Sequence, residues 1–242
     1  AAHVFRDPID EGYASVDSQS GRMSDNLRFG VLVATNPAAR NAPMEVRPEL
    51  RMSDFALCAF ESGMHWGQHI QSPLFHQPDS FNLQLDIAIC KVAPNPMVGP
   101  YQPLPIGPQP VHIADRAVAI GYAEMQNIRL GTQDVYKPDL VVSVGSVTDI
   151  HQENIVERVR RTPGRHFEFD ARIPGKMSGS PIFVGTGILA KGVVSSSLQG
   201  DTFATGGMIA PLMDLPLSYG KSLNELRAAS SEGMPKIEGI GL

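Results

Sequence analysis

The sequence predicts an all-β fold, and three observations point to it. Short apolar segments rich in Val, Ile and Phe, residues that favour strands, recur along the chain. The 242 residues include 23 Gly and 20 Pro, which interrupt these segments as turns between strands would. Residues 94–110 contain seven prolines, too many for a sheet interior because each removes a backbone donor. This Pro-rich stretch divides the chain into two halves.

In the first half, two apolar segments are predicted to be strands, Leu27–Thr35 and Asp54–Phe60. The stretch between them, residues 36–51, contains Pro and Arg and is predicted to be a loop. Residues 6–26 are polar, with Asp, Ser and Gly, and are expected to form surface loop.

The second half contains more short strands and one helix. The predicted strands are residues 117–122, 140–147, 166–169, 181–184, 187–195 and 208–210. Strands at this spacing favour a sandwich or a barrel. Residues 222–229 are predicted to form a short helix, because Ser222 and Glu225 have the spacing of a capping box.

Composition narrows the class of protein. The chain is 42% hydrophobic and 19% charged, ordinary values for a soluble globular protein. A net charge of −5, without a basic stripe, argues against a nucleic-acid partner. No apolar run approaches the ~20 residues of a membrane-spanning helix. Oligomeric state and compartment are left open by the sequence, a secreted or periplasmic location included.

Cysteine usage excludes a disulfide framework, because the chain has only Cys58 and Cys90. Both lie in apolar segments, which favours buried free thiols, although one bridge between them stays open. Neither has a partner at the spacing of a zinc site.

Ser178 is the candidate nucleophile, and two upstream segments supply the groups that a reactive serine needs. Ser178 lies in Met-Ser-Gly-Ser-Pro, His3 follows two alanines, and Asp86 begins Asp-Ile-Ala-Ile-Cys. A serine hydroxyl is a poor nucleophile at neutral pH and needs an imidazole to take its proton. The imidazole in turn needs a buried carboxylate that holds its tautomer and stabilises the cation. The order His, Asp, Ser is one of three unrelated orders in which this constellation occurs.

These segments resemble the signatures of the trypsin-like serine proteases. Ala-Ala-His3 is similar to the end of the family's Ala-Ala-His motif, and Asp86-Ile-Ala-Ile-Cys-Lys-Val resembles its Asp-Ile-Ala-Leu-Leu-Lys-Leu strand. Ser178-Gly-Ser-Pro resembles the nucleophile turn in a form common among bacterial members. The separation from Asp86 to Ser178, 178 − 86 = 92 residues, is close to that of ordinary members, whereas 86 − 3 = 83 from His3 to Asp86 is long.

The resemblance implies a fold and an activity. The fold would be two antiparallel β-barrels of the chymotrypsin type, and the activity would be peptide-bond hydrolysis by a Ser178–His3–Asp86 triad. Polypeptides would be the substrates, with no metal and no organic cofactor. The implied divisions are a first barrel at 1–93, a linker at 94–110, a second barrel at 111–220, and a helix and tail at 221–242. In the family two or three strands precede the histidine, so we expect this sequence to be a piece of a longer chain with an incomplete first barrel.

The resemblance also assigns the oxyanion hole to the backbone N–H groups of Lys176 and Ser178. The family nearly always has Gly where Lys176 stands, because the turn often needs φ > 0. Bacterial relatives usually have Pro-Gly-x-Ser-Gly, whereas this chain has Pro174-Gly-Lys-Met-Ser, as though one residue were inserted. The altered turn makes Lys176 the main departure from the family pattern.

Substrate-binding positions follow from the same resemblance. The substrate backbone would pair by β-strand addition with Ser195, Ser196 and Ser197. Arg172, six residues before the nucleophile, would form the base of the specificity pocket, and its far wall would be Thr205, Gly206 and Gly207. An arginine at that base favours an acidic residue before the scissile bond. The alternative is a solvated loop arginine.

Two alternatives concern the serine itself. Ser178 is also compatible with a structural turn serine, the commonest use of Ser beside Gly. Ser180 is a rival nucleophile, although the resemblance favours Ser178. A further alternative keeps the fold but not the chemistry: a protease-like module that binds or regulates, with the altered oxyanion turn as the sign of lost activity.

Two other enzyme classes fit the sequence poorly. His65 and His69 have the spacing of a helical metal site, but Trp66 replaces the required Glu and Gly67 weakens a helix. An α/β-hydrolase would need Gly-x-Ser-x-Gly, and position 176 is Lys.

Overall fold

The computed structural model is built mainly from β-strands. It describes residues 30–34, 50–51, 55–65, 68–71, 86–92, 104–130, 133–152, 155–156, 161–162, 164–197, 202–214 and 221–230. The strands are β1 Gly30–Ala34, β2 Leu50–Arg51, β3 Phe55–His65, β4 Gln68–Gln71, β5 Ala88–Val92, β6 Arg116–Leu130, β7 Gln133–His151, β8 Ile155–Val156, β9 Arg161–Thr162, β10 His166–Phe169, β11 Pro181–Val184, β12 Ala190–Ser197 and β13 Ala204–Met208. Within these segments the helices are a 3₁₀ helix at Ala210–Asp214 and α1 at Leu223–Ser230.

Six strands of the second half close into a barrel. Their order is β10-β13-β12-β11-β6-β7, and β10 also pairs with β7, which closes the ring. Every one of these pairings is antiparallel. Closure removes the exposed sheet edges that would otherwise invite pairing with other chains. The predicted all-β class is therefore confirmed.

Small residues on β6 leave room for two aromatic rings in the barrel interior. Ala117 and Ala119 alternate along β6 and are fully buried, as are the side chains of Phe167 and Phe169 on β10. A Cβ on Gly192 would lie 2.7 Å from the Phe167 ring, and the β12 backbone can therefore approach that ring only because residue 192 is Gly. The core depends on this alternation of large and small residues.

The first half forms a separate four-stranded sheet of β1, β3, β4 and β5. Its register keeps the two cysteines apart, because Cys90 pairs with Gly63, which is five residues from Cys58 along β3. Five residues of a strand span about 16 Å. A disulfide needs Cα atoms within ~7 Å, so the two cysteines do not bridge. Most of the predicted first barrel, including its closure, lies outside the described residues.

The segment before β5 and residues 104–110, the described part of the Pro-rich stretch, both pack on the outside of the barrel. Ile87 forms an apolar cluster with Ile209 and Met213, and Ile106 packs against it. Gly107 N donates to Ala190 O at 3.0 Å, which ties residues 104–110 to the start of β12. These contacts bring the residue next to Ile87, Asp86, against the barrel.

The predicted helix cap is confirmed. Ser222 N donates to Glu225 Oε2 at 2.6 Å, and Glu225 N donates to Ser222 Oγ at 3.2 Å, so the two residues satisfy each other's backbone donors. The hydrogen bonds from Ser222 hold the pKa of Glu225 below its usual value, because they stabilise the carboxylate.

Several predicted boundaries were wrong. β3, β6 and β7 extend well beyond the predicted strands at 54–60, 117–122 and 140–147. Leu50–Arg51, at the end of the predicted loop, forms β2 and pairs with β7. The last barrel strand is Ala204–Met208, and Ala210 begins the 3₁₀ helix instead of ending a strand. The segment predicted as a strand over 187–195 becomes β12 only at Ala190. In each case pairing with a neighbouring strand, which local composition does not reveal, sets the boundary.

Candidate active site

Asp86 is a buried carboxylate held by a serine of the barrel. It precedes β5 and is 3% exposed. Ser195 Oγ of β12 donates to Asp86 Oδ2 at 2.5 Å, and Ser195 is itself buried. A buried carboxylate is costly unless hydrogen bonds compensate for its lost hydration. Hydrogen bonds to charged groups are about twice as strong as neutral ones, so Ser195 fixes the carboxylate in place.

Ser178 lies beside the same serine. Its hydroxyl donates to the Ser195 carbonyl oxygen at 3.5 Å, a long and therefore weak bond. Ser178 is exposed, whereas Asp86 is buried. The two predicted site residues, 92 positions apart in sequence, are brought together around Ser195.

Backbone hydrogen bonds on both sides hold the turn that carries Ser178. Gly179 N donates to Val194 O at 2.9 Å, and Val194 N donates to Ser180 O at 2.8 Å, so the turn continues the pairing of β11 with β12. Ser180 N donates to Met177 O at 2.9 Å and closes the turn around Ser178. The Met177 side chain is 1% exposed and anchors the turn in the barrel core.

Lys176 adopts a left-handed backbone conformation, with φ 69°. Only Gly adopts this region without cost, and for other residues the cost is about 1–2 kcal/mol. The expected need for φ > 0 at this position is thus confirmed, although the residue is not Gly. Retaining a strained residue beside a candidate nucleophile is typical of functional turns.

The predicted base, His3, lies outside the described residues. The helical metal site considered for His65 and His69 is excluded, because His65 ends β3 and His69 lies in β4 of a hairpin. The i, i+4 spacing of a helical metal site therefore does not apply to these two residues. Within the described part of the chain, no group of three or more His, Cys, Asp or Glu residues could hold a metal ion.

The residues predicted to line the specificity pocket fall into two environments. Arg172 is exposed, and its carbonyl oxygen accepts a hydrogen bond from Ser143 Oγ at 2.8 Å. Thr205, Gly206 and Gly207 are buried in β13. A Cβ on Gly206 would meet Ile182 Cδ1 at 2.6 Å, so Gly206 faces the barrel core. Ser196 and Ser197 extend β12 beyond Ser195.

A second polar cluster lies two strands away from β12. His166 on β10 pairs with His151 on β7, and their rings stack with centroids 4.7 Å apart. His166 Nδ1 donates to Gly164 O at 2.8 Å, which fixes its neutral tautomer because a carbonyl oxygen can only accept. Burial lowers the pKa of His166, and the nearby His151 adds to this effect. His151 Nε2 lies 3.6 Å from Asp149 Oδ2 and 3.7 Å from Glu168 Oε1.

The family follows from comparison with known proteins. A family model described as a trypsin-like peptidase domain matches residues 1–190, which is more than three quarters of the chain. The chain belongs to this family of proteases. The match includes His3, Asp86 and Ser178, and it agrees with the resemblance seen in the sequence motifs.

Similar solved structures include two of the Rv3671c protease from M. tuberculosis. The active form is 13% identical to this chain, and the match covers 100% of this chain and 90% of the Rv3671c chain, with a TM-score of 0.38. The inactive form, a serine-to-alanine mutant, is also 13% identical, covers 86% of this chain and 100% of its own, and has a TM-score of 0.37. No curated protein matches the chain. The family assignment rests on the family model.

Sequence reasoning missed two features of this trypsin-like domain. One is the role of the Ser195 hydroxyl. The backbone of Ser195 was predicted to pair with substrate, and its side chain was not expected to hold Asp86. The other is Gly121 on β6, which lies directly under the turn that carries Ser178. A signal for Gly121 was present, because Ala117, Ala119, Gly121 and Ala123 place only small residues at every second position of one strand.

No described helix is long and apolar enough to cross a membrane.

Proposed function

We propose that this trypsin-like domain is a serine endopeptidase that cleaves polypeptides through an acyl-enzyme on Ser178. The observation that carries the proposal is the convergence of Ser178 and Asp86 on one residue, Ser195. In a nucleophilic hydrolase the serine needs a base, and the base needs a buried carboxylate beside it. His3 is the proposed base, because Ala-Ala-His3 resembles the end of the family's histidine motif.

The proposed reaction has two steps. In the first, Ser178 Oγ attacks the substrate carbonyl carbon while His3 takes the hydroxyl proton, and His3 then gives that proton to the leaving amine. In the second, water attacks the ester carbon, His3 takes a proton from the water, and the acid product leaves as Ser178 recovers its hydrogen. Asp86 stays ionised throughout and stabilises the imidazolium.

The oxyanion of each tetrahedral intermediate is proposed to bind the N–H groups of Lys176 and Ser178. The φ of 69° at Lys176 supports this assignment, because it is the type of conformation that the family's Gly supplies at that position. An N–H donor in such a hole contributes roughly 10²–10³ in rate. Catalysis therefore depends on the backbone of residue 176 more than on its ammonium group.

Substrate backbone is proposed to pair along β12 at Ser195, Ser196 and Ser197. Among the described residues, β11 and the turn before it pair with β12 only as far as Val194, which leaves that side of β12 without a described partner strand beyond this point. Arg172 is the proposed selector of an acidic side chain before the scissile bond, and its exposure makes the guanidinium available. The proposed wall from β13 consists of the backbone of Thr205, Gly206 and Gly207, because the Cα of Gly206 faces the barrel core and offers no side chain to a substrate.

A comparison of two serine variants tests the proposal. Hydrolysis of an unfolded protein substrate, followed by the appearance of new amino termini, should be abolished in Ser178→Ala. The matched control, Ser180→Ala, removes a hydroxyl two residues away and should retain turnover. A wild-type protein that folds and cleaves nothing would instead favour the non-catalytic module, with Lys176 as the reason for lost activity.

A further inference from the structure

We propose that Gly121 and Ser180 form a size-matched pair that positions the nucleophile turn, so that Gly121 is a positioning residue for Ser178. The inference rests on the proposed role of Ser178 as nucleophile. It assigns a function to a residue of β6 that is distant from Ser178 in sequence and carries no reactive group.

The register of the barrel brings the two residues opposite each other. Ile182 on β11 pairs with Ala119 on β6 in an antiparallel ladder. Continuing this ladder by two residues places Ser180 across from Gly121, with both residues facing the same side of the sheet. Ser180 therefore joins the turn that carries Ser178 to the start of β11 at Pro181.

The contact between the two residues leaves no room for a side chain at position 121. A Cβ on Gly121 would lie 1.9 Å from Ser180 Oγ and 2.7 Å from Ser180 Cβ. It would also lie 3.4 Å from Met177 Cε, an ordinary contact. The steric conflict is therefore with the side chain of Ser180 itself.

Ser180 cannot move away without carrying Ser178 with it. On its other side Val194 N donates to Ser180 O at 2.8 Å, and within the turn Ser180 N donates to Met177 O at 2.9 Å. A side chain at position 121 would push Ser180 against β12 and shift the turn between Met177 and Ser180. Ser178 lies inside this turn, and its position decides whether the nucleophile is aligned for attack.

Labelling with a fluorophosphonate measures this alignment directly. In that reaction Ser178 Oγ forms a bond to phosphorus, the P–F bond breaks, fluoride leaves, and the hydroxyl proton passes to His3. A displacement of ~1 Å at a reacting atom can cost about 10² in rate. We therefore expect Gly121→Ala to lower the second-order labelling rate constant about 100-fold at a temperature where the variant is folded.

Two further variants separate positioning from loss of stability. Gly121→Ala combined with Ser180→Gly removes the conflicting Cβ and hydroxyl, so it should label much faster than Gly121→Ala alone. Gly145→Ala is the matched control, because its Cβ would lie 2.7 Å from Asp170 O and its three nearest atoms all belong to Asp170, outside the turn. We expect it to lower the melting temperature without lowering the rate constant per folded molecule.

Each outcome decides the proposal. Faster labelling in the double variant than in Gly121→Ala supports the size-matched pair. If Gly121→Ala alone fails to fold, a double variant that folds and is labelled supports it equally. Unchanged labelling in Gly121→Ala overturns it, and so does a double variant that stays slow or unfolded. An unlabelled wild-type protein refutes the proposed nucleophile as well, whereas a labelled wild type with an equally labelled Gly121→Ala refutes the pair alone.

Discussion

Replacing Ser195 by Ala should destabilise the protein more than a typical buried hydroxyl does. The substitution removes the 2.5 Å hydrogen bond to Asp86 and keeps the small side chain, so little packing is lost. Asp86 is 3% exposed, and water cannot easily replace the missing donor. Hydrogen bonds to charged groups contribute about 1.5–3 kcal/mol, and the free energy of unfolding should fall by about that amount.

Ser143→Ala supplies the matched control for this prediction. Ser143 is also a buried barrel serine, but its hydroxyl donates to a neutral group, the Arg172 carbonyl oxygen at 2.8 Å. A neutral hydrogen bond contributes about 1 kcal/mol. Urea unfolding at neutral pH, followed by circular dichroism, gives both free energies with comparable errors. If Ser195→Ala costs no more than Ser143→Ala, Asp86 is not held as a carboxylate by Ser195 and the reasoning is refuted.

Three other predictions concern the turn, the histidine pair and the helix cap. Lys176→Gly should raise the melting temperature slightly. The substitution relieves about 1–2 kcal/mol of backbone strain at φ 69°, which exceeds the ~0.5–1 kcal/mol by which Gly favours the unfolded chain. A lower melting temperature would show that the Lys176 side chain stabilises the turn. His166→Asn should reduce the loss of stability between pH 7.5 and pH 5 in urea unfolding. Burial lowers the pKa of His166, so the unfolded chain, with a histidine pKa of ~6.5, binds the proton first as pH falls. An unchanged pH dependence in the variant would contradict this prediction. Ser222→Ala should lower the free energy of unfolding by about 1 kcal/mol through loss of the cap, provided that α1 unfolds with the barrel. Asn224→Ala, which removes the exposed hydrogen bond to Asp214, is the comparison. Equal losses in the two variants would argue against the capping role.

Local signals in the sequence predicted the elements that local chemistry determines. The cap at Ser222 depends on residues three positions apart, and the strand at 181–184 is a short apolar segment directly after the turn residues Gly179 and Ser180. The predicted bounds failed where a partner strand decides them, as at β2, whose two residues are strand only because β7 lies beside them. Composition cannot show such a partner.

The candidate site was predicted only in part, because some of its contacts join residues that are distant in sequence. Ser178 and Asp86 carry family motifs, so both could be found in the sequence. The hydroxyl of Ser195 could not be assigned to Asp86, because the bond joins residues 109 positions apart and depends on how the segment before β5 packs on the barrel. The row of small residues on β6 pointed to a close approach at Gly121, but the residue that approaches, Ser180, is known only from the pairing of β6 with β11.

The central claim is that Ser178 is the nucleophile of a working peptidase. The most direct test is reaction of the wild-type protein with a fluorophosphonate, followed by digestion and mass spectrometry of the segment that contains Met177–Pro181. We expect a single adduct on Ser178, and its loss in Ser178→Ala. An adduct on Ser180, or no adduct on a folded protein, would contradict the claim.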